Sequence, residues 1–187
     1  MMINLGNDYD TILPLQAGEF VKLPAGGYVC IVTDAVASRS AAGTPLLIIS
    51  LDIIEGEFKG YFRNANFPPK IFQSIFDKKG KISPYFKGMM KNFESSNAGF
   101  TVTNGYFDEK SLVNKIIGVV FGDVEREYNG KIYTDAKPVF TVSVDRIRSG
   151  DFKIPEIKKI DTSRSNIVPV NDDDFIGDSI PDTAVPF

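Results

Sequence analysis

The sequence predicts a mainly β fold: five or six short strands, one helix between the third and fourth, a long final hairpin and an acidic tail. Three observations carry that expectation. Apolar residues recur with period two through residues 27–36 and 45–54, as on a strand with one buried face. Only residues 85–95 carry convincing helical spacing. An Asn129-Gly130 pair sits within a long β-like stretch, and Asn-Gly is the strongest short hairpin signal.

Residues 1–19 form a polar lead-in. Pro24 and Gly26-Gly27 read as a turn into a first strand over 27–36, with the single cysteine, Cys30, as a small core residue. A small-residue loop, 38–44, carries Arg39 and leads to a second strand over 45–54. There Leu47, Ile49, Leu51 and Ile53 make one apolar face, and Ser50 and Asp52 mark the other. Gly56 turns the chain into an expected third strand over 58–66. Ser83-Pro84 supplies an N-cap and a first-turn proline for the helix. Its Phe86, Met89, Met90 and Phe93 fall on one core-packing stripe at i, i+3, i+4 and i+7.

A strand around 100–103 and a short helix within 108–114 are expected next. The hairpin then runs over 115–148, with Pro138 marking an edge or a bulge. Residues 151–170 lose the alternation and read as a basic-leaning linker. This order suits an OB-like, partly open Greek-key barrel of five or six strands, which places its helix between strands 3 and 4. A plain antiparallel sandwich fits the same periodicity. The expected division is an extension (1–19), an OB-like domain (20–150), a linker (151–170) and a tail (171–187).

Charge is unevenly spread. Residues 1–170 hold all 21 basic residues and 19 of the 24 acidic ones, so they stand at about +2. The tail, 171–187, holds five aspartates and no cation, and stands at -5. It carries Asp172, Asp173, Asp174, Asp178 and Asp182 and ends Val185-Pro186-Phe187. An acidic, core-poor segment with an apolar end suits docking into a basic, greasy pocket on a partner.

One cysteine makes no intrachain disulfide and fits a reducing compartment. The N-terminus has no basic region followed by an apolar stretch, and no apolar run approaches bilayer length. A soluble cytoplasmic protein is therefore expected, with no membrane partner. The chain has no histidine, which removes serine–histidine and cysteine–histidine catalysis and, with one cysteine, the common zinc geometries. Gly56, Gly60 and residues 41–44 match neither P-loop nor dinucleotide spacing. Carboxylate-bound magnesium stays open in principle, but no acidic pair stands out at a strand end. The expectation is no enzyme, no cofactor and no metal.

Residues 59–91 hold Lys59, Arg63, Lys70, Lys78, Lys79, Lys81, Lys87 and Lys91 against a single acid, Asp77. Tyr61, Phe62, Phe67, Phe72, Phe76, Tyr85 and Phe86 are interleaved. Single-stranded nucleic acid calls for this pairing, because cations track phosphates while aromatic faces stack unpaired bases. Phenylalanines in the core with lysines on a solvated face would give the same pattern. On the expected third strand Lys59, Tyr61 and Arg63 share one face, extended by Phe67 if the strand continues. The hairpin adds Arg126, Tyr128, Lys131 and Tyr133 near its tip and Lys137 further down. Tyr128 and Tyr133 serve equally well as a clamp on nucleic acid or as a cross-strand stabilising pair.

Two resemblances add to this reading. The tail, Asp172-Asp173-Asp174 through Pro186-Phe187, resembles the acidic tip of bacterial single-stranded DNA-binding proteins. In those proteins the acids sit almost against the last dipeptide, whereas here the aspartate triplet lies well before it. The body, over about residues 18–160, is similar to a family of phage-encoded single-stranded DNA-binding proteins. The shared features are the Gly-Tyr strand, the small-residue loop before a proline, the helix ending at Glu94-Ser95-Ser96-Asn97, and the Gly118, Gly122 and Glu127-Tyr128-Asn129-Gly130-Lys131 hairpin.

The resemblance implies an OB barrel that protects single-stranded DNA in phage replication or recombination, in the host cytoplasm. It implies DNA contacts at Arg39, the Lys59–Arg63 face and the Tyr128–Tyr133 hairpin. Replication or recombination proteins would dock on the tail, with a homo-oligomer left open. The bacterial proteins stack partly on tryptophan; this chain has none, so phenylalanine or tyrosine must substitute. The alternative of a different class is a β-rich phage structural or assembly protein without nucleic-acid binding. A carboxylate-metal enzyme on nucleic acid is the third reading.

Overall fold

The computed structural model describes residues 21–103, 105–106 and 108–160. The expected N-terminal extension and the acidic tail, with the residues expected to bind a partner, lie outside the described residues. Five antiparallel strands form one open sheet in the order β3-β2-β1-β4-β5. They are β1 (Gly26–Arg39), β2 (Pro45–Ile53), β3 (Lys70–Ser74), β4 (Ile116–Tyr128) and β5 (Lys131–Val142). Helix α1 (Pro84–Ser96) forms where the sequence predicts a helix and stands between β3 and β4, although neither flanking strand is the one expected, and a short α2 (Val144–Ser149) follows β5.

The inner face of the sheet meets α1. On β2, Leu47, Ile49, Leu51 and Ile53 are all buried, the alternation read from the sequence. Cys30, Val32 and Ala35 of β1 and Ile117, Val119 and Phe121 of β4 join them. A bulge between Val32 and Asp34 switches the parity of β1, so even-numbered residues face inward before it and odd-numbered ones after it. Phe86, Met89, Met90 and Phe93 of α1 are buried in the same cluster, each contributing about 1.5–3 kcal/mol. Burial pushes the Cys30 thiol well above its ordinary pKa, with Asp52 adding to the shift, so Cys30 is protonated and inert.

Among the described residues, α2 and the chain after it cover one end of the outer face. Gly27 of β1 and Gly118 of β4 sit directly beneath α2 and the chain after it. A Cβ on Gly27 would come within 2.4 Å of the Phe152 ring, and one on Gly118 within 2.6 Å of Ile147. The described start of the expected linker therefore docks on the sheet at Phe152, Pro155, Lys158 and Ile160. Lys158 N donates to Asp123 O and Glu125 N donates to Lys158 O, each at 2.9 Å.

Three expected elements are corrected. Residues 56–64 form successive turns, not a third strand; the third strand is Lys70–Ser74. Gly56 and Gly60 have φ of 79° and 75°, which breaks any extended run there. No strand spans 100–103, where only an isolated bridge joins Thr103 and Tyr106. The hairpin ends at Val142 and Arg148 belongs to α2, whose last turn closes on Gly150 in the left-handed region. The expected helix within 108–114 is a single 3-10 turn, Glu109–Leu112. Asn129 and Gly130, at φ 52° and 71°, make the primed turn the sequence predicts. Pro138 lies on an edge strand beside a bulge opposite Val120 and Phe121.

Candidate nucleic-acid interface

Register decides which hairpin side chains meet, because directly paired residues of antiparallel strands share a face. Gly122 pairs with Lys137, Val124 with Asp135, Arg126 with Tyr133 and Tyr128 with Lys131. All five predicted hairpin residues (Arg126, Tyr128, Lys131, Tyr133 and Lys137) therefore project from one face. Since Gly118 and Val120 share that parity, it is the sheet's outer face. The reverse face carries Asp123, Glu125 and Glu127 against Ala136, Thr134 and Ile132. The arm thus has a side with three cations, two tyrosines and a single acid, Asp135, and a reverse side with three acids and no cation among these paired residues. Tyr128 is 59% exposed and Tyr133 41%.

The two tyrosines differ in their surroundings. The Arg126 guanidinium lies 5.3 Å from the centre of the Tyr133 ring and is ion-paired through Nε with Asp135. Tyr128 has no ring partner of this kind among the contacts described, and its face is open at the hairpin tip.

Lys59, Tyr61, Arg63 and Phe67 do not form the shared strand face expected of them, because they lie on turns and a loop. Tyr61 is a structural residue. Its hydroxyl donates to Val21 O at 2.8 Å and accepts from Leu23 N at 3.2 Å. Its ring packs edge-on against Phe58 and Phe62, which continue through Phe121 and Tyr28 to close a five-membered aromatic circuit. Burial raises the Tyr61 hydroxyl above its ordinary pKa and pushes that of Tyr28 up to about 12. Lys59 and Arg63 stay exposed, and Phe67 is 92% exposed ahead of Pro68.

Arg39 ends β1 at the opposite end from the hairpin arm, its Nη1 donating to Gly43 O. At about 3.3 Å per residue a strand of 14 residues spans on the order of 45 Å, so the structure does not group Arg39 with the hairpin tip.

The sequence reading missed one row of side chains. Val36 pairs with Ile48 and Ile48 with Phe72, which sets an apolar row across β1, β2 and β3 on the outer face. Phe72 is 48% exposed and Val36 41%. The adjacent row is Asp34, Ser50 and Lys70. A hydrogen bond from Lys110 Nζ holds the Asp34 carboxyl below its ordinary pKa. In the sequence Phe72 is one aromatic among many; the row follows only from the register of β3, which a third strand expected at 58–66 conceals.

Among the described residues no three Cys, Asp or Glu side chains gather where a metal ion could be held. No described helix is long and apolar enough to cross a membrane. No protein-family model matches the chain, and no curated protein sequence matches it.

Proposed function

We propose that this protein binds single-stranded DNA without strong sequence preference, through the outer face of the β4–β5 arm. The observation that supports this most directly is the asymmetry of the arm, with three cations, two exposed tyrosines and one acid, Asp135, on one side and three acids on the other. Cations that track phosphates beside open aromatic faces are what an unpaired strand requires. The Val36–Ile48–Phe72 row extends the apolar footing along the same sheet face.

The fold we infer is an OB-like, partly open barrel. The strand order, the helix between β3 and β4, and edge strands β3 and β5 that come within 8 Å of each other all favour it. The role is non-enzymatic. The body protects single strands in phage replication or recombination, while the acidic tail recruits a protein of the same process in the host cytoplasm.

A fluorescence-polarisation titration of labelled oligo-dT at low salt tests the reading. Binding should weaken with salt at a slope of about -0.7 in log K per phosphate neutralised. No binding at low salt refutes it. Removal of residues 171–187 should leave affinity equal or higher, and loss of binding on that deletion would overturn the division of labour between body and tail.

A second reading, a β-rich assembly protein, draws on the exposed aliphatic side chains Val139 of β5 and Ile154 and Ile157 of the segment after α2. Regular particles formed without nucleic acid, seen by light scattering, would favour it.

A further inference from the structure

We infer that Asp135 is a built-in competitor of the phosphate backbone at the hairpin, and that it sets the strength and salt dependence of binding there. This deepens the single-strand reading and rests on it. By register Asp135 is the one carboxylate among the paired residues on the cationic side of the arm, where it faces Val124 and neighbours Arg126 and Tyr133. The other acids of β4's arm, Asp123, Glu125 and Glu127, point to the reverse side.

Asp135 is also engaged with the cation best suited to a phosphate. A guanidinium presents a planar fork of donors that matches phosphate oxygens. On Arg126 the Nε donor is taken by Asp135 Oδ2, while the plane lies over the Tyr133 ring. The two side chains are about half exposed, at 49% and 41%, so water and an incoming anion both reach the pair. An exposed pair of this kind is easily exchanged. A phosphate that reaches Arg126 takes the place of the Asp135 carboxylate.

The exchange has two consequences. The freed carboxylate stays beside the bound strand and repels it. It also retains a cation at the interface, which cancels the counterion that the Arg126–phosphate contact would otherwise release. Asp135 thus keeps the arm from closing tightly on any polyanion and leaves discrimination to the stacked bases. Tyr133, held under Arg126, is a positioning residue, and Tyr128 is the tyrosine free to stack.

The test compares Asp135→Asn, Asp135→Glu and Glu127→Gln in the full-length chain, with oligo-dT polarisation over a range of salt. Asp135→Asn should tighten binding about threefold to tenfold, the effect of one unit charge at contact distance in water. It should also steepen the salt slope by about 0.7. Asp135→Glu keeps the charge and should match the wild type. Glu127→Gln makes the same charge change on the reverse side and should have little effect. Unchanged or weaker binding by Asp135→Asn, with wild-type binding intact, overturns the inference alone, as does an equal gain from Glu127→Gln. Absence of wild-type binding overturns the single-strand reading and this inference with it.

Discussion

Residues 59–67 and residues 126–137 look alike as sequence, since both mix cations with aromatics and both suggest a strand offering alternate side chains. The fold treats them oppositely. The first segment curls into turns and commits Tyr61 to two backbone hydrogen bonds and an aromatic circuit over the core. The second extends as an arm whose register gathers its cations and tyrosines on one face, with Asp135 the one acid among them, and puts Asp123, Glu125 and Glu127 on the other. Composition marks where nucleic acid could bind. Register decides whether the side chains can act together.

Substitution of the two tyrosines separates these cases most sharply. Tyr61→Ala removes a half-buried ring and leaves two backbone groups without their partner, so it should cost about 2–4 kcal/mol of stability in a denaturant titration. Oligo-dT affinity of the folded fraction should not change. Tyr128→Ala should leave stability within about 0.5 kcal/mol. It should weaken oligo-dT binding by about 1–3 kcal/mol, the worth of one stacked base. A Tyr61 variant that folds normally and loses affinity, or a Tyr128 variant that binds as the wild type does, would erase the contrast between the segments.

A smaller effect is expected at the missed row. Phe72→Ala exposes little new core, because the ring points to solvent from a short edge strand. It should reduce oligo-dT affinity by about 1 kcal/mol if a base rests there. Unchanged affinity would confine the interface to the arm.

The contrast also shows where sequence reasoning works. Strands β1 and β2, helix α1 and the Asn129-Gly130 turn were legible because each rests on a local signal, either alternation, helical spacing or a turn that only certain residues form. The shared face of Arg126, Tyr128, Lys131, Tyr133 and Lys137 was legible for the same reason, since a fixed turn fixes the register around it. The strand expected at 58–66 failed at Gly60, whose positive φ breaks the run, a warning already present in the residue type. The β1 bulge and the docking of residues 151–160 depend on long-range pairing, and no local pattern announces them. The glycines at 27 and 118 acquire meaning only once Phe152 and Ile147 are seen above them.

The smallest prediction concerns how the first segment is anchored. Glu55, just before the turns, pairs with Arg148 of α2. The hydrogen bond from Arg148 holds its carboxyl below the ordinary glutamate pKa. A carboxylate whose pKa is lowered by folding stabilises the native state at pH above its unfolded value of about 4.3, and that contribution is lost as pH falls through the folded value. Both groups are partly exposed, so the contribution is modest. Glu55→Gln should lower Tm at pH 7 by about 1–3 °C and narrow its gap to the wild type as pH falls below about 4. A gap that widens in acid would mean that the pair does not hold the turn segment to α2. The burial of Tyr61 would then rest on its aromatic neighbours and on the backbone of residues 21–23 alone.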